Sequence, residues 1–153
     1  MTEYMSEGEK QKIIADFIKA HSLGVVATAH ETGQPEAAVV EYGEIDQFNI
    51  ILDIFDNSRK FQNIQKNSRV AFVIGWDDNI TVQYSGVAEL LVGEELARAK
   101  EAYFIKNPRA KKWDGREGIV YIKITPTWIR YSDLRKYPWD VFEVTNFEKD
   151  SAK

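Results

Sequence analysis

A chain of 153 residues, 44% hydrophobic and 29% charged, has the profile of one soluble domain with a sizeable core. The absence of cysteine excludes disulfides, thiolate metal sites and a thiol nucleophile, so redox chemistry would need a bound cofactor, and a net charge of -4 speaks against a general nucleic-acid surface. No basic flank precedes an apolar run at the N-terminus and no stretch approaches the roughly 18 consecutive apolar residues of a membrane span, so a cytoplasmic protein is expected, without membrane or nucleic-acid partners.

Ser6 and Glu9 form a capping box, and Ile13, Ile14, Phe17 and Ile18 follow at helical spacing, which predicts an amphipathic helix to about His21. Residues 23–28 then read as a strand, 31–34 with Gly33 as a turn, and 36–42 as the second strand of a hairpin. Residues 48–55 and 69–76, rich in β-branched and aromatic side chains, are two more strands, separated by a short helix over about 58–66. A turn at Asp77, Asp78 and Asn79 leads into a long strand over about 80–91, where Gly86 signals a bulge or sharp bend. Residues 94–106 carry the apolar stripe Leu96, Ala99, Tyr103 and Phe104 of a helix that Pro108 limits. Residues 119–124 and 128–131 are the last strands, joined through Pro126, and about 135–153 is a C-terminal tail. No repeat or linker divides the chain, so 1–153 reads as one domain. About seven strands with three helices, mostly hairpin-connected, predict a small antiparallel barrel with helices packed outside.

The stretch most informative about chemistry runs from Phe55 to Trp76. A strand passes through Asn57 and Ser58 directly into a helix whose first turn carries Arg59 and Lys60. Unpaired amides, the positive end of the helix dipole, a hydroxyl, a guanidinium and an ammonium would converge on one small volume, which suits a phosphate monoester. The local pattern also reads as an ordinary helix cap followed by solvated cations. His21 and His30 are too few and too scattered for a metal cluster, so no metal site is expected, and no catalytic residue is identified.

Ser58-Arg59-Lys60, then Asn67-Ser68-Arg69-Val70, then Gly86-Val87-Ala88-Glu89, in this order and spacing, resemble the pyridoxamine 5′-phosphate oxidase-like family. The likeness extends from about Ile13 to Asp133 and includes Val25-Val26-Ala27-Thr28 and Ile124-Thr125-Pro126. It implies a mainly β (α+β) fold: a six- to seven-stranded antiparallel split β-barrel with flanking helices that binds flavin mononucleotide (FMN). It assigns the FMN phosphate to Ser58, Arg59 and Lys60, and puts Phe55 and Asp56, with Asn57 beside them, next to the isoalloxazine. Thr81 and Gln83 on one face of the long strand would contact flavin from the other subunit, and Val40 and Glu41, with Val39, would lie along the ring system, although Glu41 also reads as a solvated charge.

The resemblance thus implies an FMN-dependent oxidoreductase acting on a small-molecule substrate, working as a homodimer with the cofactor cleft between subunits. Apolar residues on both faces at 50–52 and 70–73 agree with one face turned to the barrel interior and the other to a partner, although the chain's own helices would look the same. The alternatives are a flavin carrier or stress-related protein without turnover, and a split barrel holding haem or a deazaflavin. The chain departs from the family's oxidases where they read the phosphate of the vitamin B6 substrate: Asn107 precedes Pro108, and Lys111 replaces a serine. It also has Trp128-Ile129-Arg130-Tyr131 in place of an Arg-Leu-His type motif, which makes a vitamin B6 substrate doubtful.

Overall fold

The computed structural model describes residues 4–147. Helix α1 (Glu7–Ala20) starts where the Ser6 hydroxyl accepts the Glu9 amide at 3.1 Å. Strands β1 (Leu23–Ala29) and β2 (Pro35–Glu41) form the first hairpin, followed by β3 (Gly43–Ile45), β4 (Asn49–Phe55), α2 (Arg59–Lys66), β5 (Arg69–Ile74) and β6 (Ile80–Leu90). Helix α3 (Gly93–Lys106) runs into a short 3₁₀ turn, and β7 (Ile119–Asp133) and β8 (Asp140–Val144) end the fold. Among the described residues no helix is long and apolar enough to cross a membrane.

All pairings are antiparallel, and seven strands lie along one path, β2-β1-β5-β6-β7-β4-β3, with β8 added beside β7. The two ends of that path, β2 and β3, are consecutive in the chain and separated only by Tyr42. The sheet must therefore curl until its ends meet, and the result is the mainly β split barrel with flanking helices that the sequence implies. Tyr42 at this corner is fully buried, its hydroxyl donating to the Ile18 carbonyl at 2.7 Å and so tying α1 to the seam.

Besides the short β3, which the sequence reading lacks, two features differ from it. Residues 119–133 form one strand rather than two, because Pro126 stands opposite Gly86 at a register shift where Thr127 is the extra residue on β7. A bulge tolerates a residue without an N–H to donate. At Gly86 a Cβ would come within 2.5 Å of the Thr125 carbonyl oxygen, so only glycine lets β7 pass this closely. Second, residues 140–144, left in a tail by the sequence, pair with β7 and bury Phe142 and Val144 in the main core. Residues 148–153 of that tail lie outside the described residues.

The main core fills the barrel with Ile50, Leu52, Ile54, Phe72, Val82, Tyr84, Ile122 and Ile124, closed by Ile14 and Ile18 of α1 and by Phe61 and Ile64 of α2. A second cluster lies outside the sheet, where Ile51 and Tyr121 meet Ala99 and Tyr103 of α3. The two-sided apolar pattern at 50–52 is therefore satisfied by the chain's own helix and not by a second subunit. On β5 the outward face stays open: Ala71 is exposed and Val73 half-buried.

Candidate functional site

The site forms where β4 hands over to α2 across the inner ends of β1 and β2. Ser58 caps α2, its hydroxyl accepting the Phe61 amide at 3.3 Å and donating to the Phe55 carbonyl at 2.7 Å. The cap fixes the strand-to-helix corner and leaves the first-turn amides of Arg59 and Lys60 without intrahelical acceptors. Helices α1 and α3 each place two acidic residues in the first turn, Glu7 and Glu9, and Glu94 and Glu95. Helix α2 has none there and adds two cations to its own positive dipole end, an arrangement unfavourable for the isolated helix and suited to an anion.

Arg59 and Lys60 line a cavity of 140 Å³ together with Val26, Thr28, Glu36, Ala37 and Ala38. Lys60 is half-buried and, among the described residues, its ammonium has no hydrogen-bond or ion-pair partner. Arg59 pairs with Glu36 at 2.9 Å. The other Glu36 oxygen accepts from the Asn63 amide at 2.7 Å, and Asn63 also donates to the Thr28 hydroxyl at 3.0 Å. Sequence reasoning missed Glu36, Asn63 and Thr28. Two signals were present, a polar residue beside Phe61 and Ile64 on the buried face of α2, and a threonine in register with the inward Val26 of β1.

The remaining residues singled out from the sequence fall into three groups. Phe55, Asp56 and Asn57 are exposed on the corner before α2, where the Asp56 amide donates to the Gly118 carbonyl at 2.8 Å and the Phe55 ring meets the Trp113 ring edge-on at 6.2 Å. Val40 packs against the main core while Glu41 and Val39 are exposed, so Val40 and Glu41 lie on opposite faces of β2. Thr81 and Gln83 share the outer face of β6, opposite Ser132 and Arg130 of β7, and neither lines the cavity at α2. Asn107 is buried at the end of α3, its side-chain amide nitrogen donating to the Tyr42 and Tyr103 carbonyls at 2.8 and 3.3 Å, so these donors serve the fold.

As a donor set, a cavity wall with two cations from the first turn of a helix fits a phosphate monoester, whereas Phe55, Asp56 and Asn57 are not among the residues that line it. Among the described residues that line the cavity, Glu36 is the one of opposite sign.

Residues 11–133 match the sequence model described as pyridoxamine 5′-phosphate oxidase. No curated protein matches the chain. Among solved structures, the chain is similar to a heme binding protein from Mycobacterium smegmatis, with TM-score 0.76 and 23% identity over 92% of this chain and 58% of that one. It thus spans 58% of that protein's length. A conserved hypothetical protein from Mycobacterium tuberculosis is similar at TM-score 0.71 and 27% identity over 93% of each chain. The General Stress Protein 26 of Bacillus anthracis is similar at TM-score 0.68 and 21% identity, over 88% of this chain and 98% of that one.

Proposed function

Since the chain belongs to the pyridoxamine 5′-phosphate oxidase family, we propose that it is an FMN-binding flavoprotein and an oxidoreductase acting on a small molecule other than a vitamin B6 phosphate. The observation that carries the reading is the pair of cations on the first turn of α2, facing a cavity in a chain whose other helices place acids at that position. Lys60 and the first-turn amides would hold the phosphate, joined by Arg59 when it turns from Glu36. Ser58 holds the corner in shape, and Phe55 and Asp56 border the ring. When bound, FMN supplies the hydride and electron chemistry, and the barrel's part is to orient the ring and limit solvent access to it. The turned-in amide of Asn107 argues against a vitamin B6 substrate, because its side-chain N–H group donates to two backbone carbonyls and not to a substrate phosphate.

The homodimer belongs to the same proposal. The outward face of β1, β2, β5 and β6 carries exposed Ala37, Val39, Ala71 and Val87, a small-residue apolar surface of the kind that a second copy would cover. On such a face Thr81 and Gln83 would reach a partner's cofactor.

A haem-binding reading is favoured by the likeness to the heme binding protein from Mycobacterium smegmatis. The spectrum of freshly purified protein and identification of the extracted chromophore separate the two. Flavin absorption with FMN released on denaturation is expected, whereas a Soret band, or a colourless protein that takes up no added FMN, would overturn the proposal. Flavin reduction that follows an added substrate separates an oxidoreductase from a carrier.

A further inference from the structure

We propose that Glu36 sets how tightly this chain holds a phosphate-bearing cofactor, as a resident competitor for the Arg59 guanidinium; the proposal rests on the phosphate reading above. The two partners are unequally fixed. The Glu36 side chain is 14% exposed, held by Asn63 at 2.7 Å, and Asn63 is itself 4% exposed and bonded to Thr28. The Arg59 side chain is 78% exposed and has Glu36 as its ion-pair partner. The carboxylate is thus anchored to the fold, and the guanidinium is the part free to leave.

Glu36, Arg59 and Lys60 line the same cavity, so an entering phosphate meets the carboxylate at close range. It must draw Arg59 away, leaving a mostly buried carboxylate without its cation, or share the guanidinium with it, placing two anions on one cation. Both outcomes oppose the dianion and neither affects a ligand that lacks the phosphate. Glu36 is therefore a specificity-determining residue that narrows the preference for FMN over riboflavin.

Glu36→Gln keeps the volume and the acceptor oxygen for Asn63 while removing the charge. Dissociation constants of FMN and riboflavin, measured by flavin fluorescence on the full chain, are compared between wild type and this variant. Removing one repulsive charge from a partly solvated site is expected to tighten FMN about tenfold and to leave riboflavin within about twofold. Equal FMN affinity in the two proteins, or equal tightening of both flavins, would overturn the role of Glu36 while leaving the phosphate seat standing. FMN binding to neither protein would overturn the seat itself. If the Gln variant does not fold, Glu36→Ala serves, with the same difference between FMN and riboflavin expected.

Discussion

Under α3 the Lys106 ammonium donates to the Glu44 carboxylate and to the Ile18 carbonyl at 2.9 Å, the Tyr103 hydroxyl to Asp53 at 2.6 Å, and Lys100 pairs with Asp114 at 2.7 Å. At the start of α2, Arg59 is mostly exposed despite its carboxylate, and Lys60 has no such partner among the described residues. Both regions place cations against the same curled sheet, but one closes its hydrogen bonds internally and the other leaves donors facing a cavity. The first pattern fixes a helix. The second costs local stability through like charges at a positive dipole end, which makes sense where an anion arrives to offset it.

The most forceful way to break this comparison is Arg59→Ala with Lys60→Ala. If the α2 cations serve a ligand, the double variant weakens FMN about 100-fold, the sum of two charge-assisted hydrogen bonds, and lowers the melting temperature only modestly, since Glu36, 14% exposed, loses its cation while two like charges leave the positive dipole end. Unchanged FMN affinity, or a collapse in melting temperature, would make the two regions alike.

The converse variant is Glu44→Ala. It strands the Lys106 ammonium, whose pKa burial already pushes down and Glu44 pushes back up, so stability in urea is expected to fall by about 2 kcal/mol with FMN affinity unchanged. Lys106→Met keeps the side-chain stem over the Tyr42 ring, where the ammonium lies 4.4 Å from the centroid, but strands the Glu44 carboxylate, whose side chain is 16% exposed, and is expected to cost about as much as Glu44→Ala. A much smaller loss from Lys106→Met would mean that the stranded Lys106 ammonium, rather than the broken pair, carries the cost of Glu44→Ala.

What could be read from the sequence follows the range of each interaction. Ser6 and Ser58 announce their helices because a cap acts within three residues, and Gly86 announces the bend because no Cβ fits there. Pro126 reads as a break in the sequence and is one in ladder chemistry, yet the bulge opposite Gly86 absorbs it, a fact that depends on a strand about forty residues away. β8 escapes notice because five residues alone do not reveal that β7 has a free edge to receive them. Glu36 is the clearest case. It is one of many acidic residues until the fold brings Thr28 of β1 and Asn63 and Arg59 of α2 around it. The cationic half of the candidate site is contiguous in sequence and so was legible, whereas its acidic counterweight was not.

The smallest expected effect concerns the α3 side and its response to acid. The hydrogen bond from Lys100 holds the Asp114 carboxyl below its ordinary value of 3.8, with burial opposing it and the Lys100 charge and the Tyr121 hydroxyl adding to it. The folded chain therefore binds that proton less readily than the unfolded one. The stabilisation is present in full above pH 3.8 and is lost as pH falls through the lowered value. Asp114→Asn is expected to cost about 0.5 kcal/mol at neutral pH, as a partly exposed ion pair does, and the difference from wild type should shrink as pH drops below that point. Urea titrations of both proteins at several pH values measure this directly. A difference that persisted at low pH would mean that the substituted amide disturbs packing around Tyr121 and that this ion pair does not act as a closed electrostatic unit, which would weaken the contrast with α2 at its source.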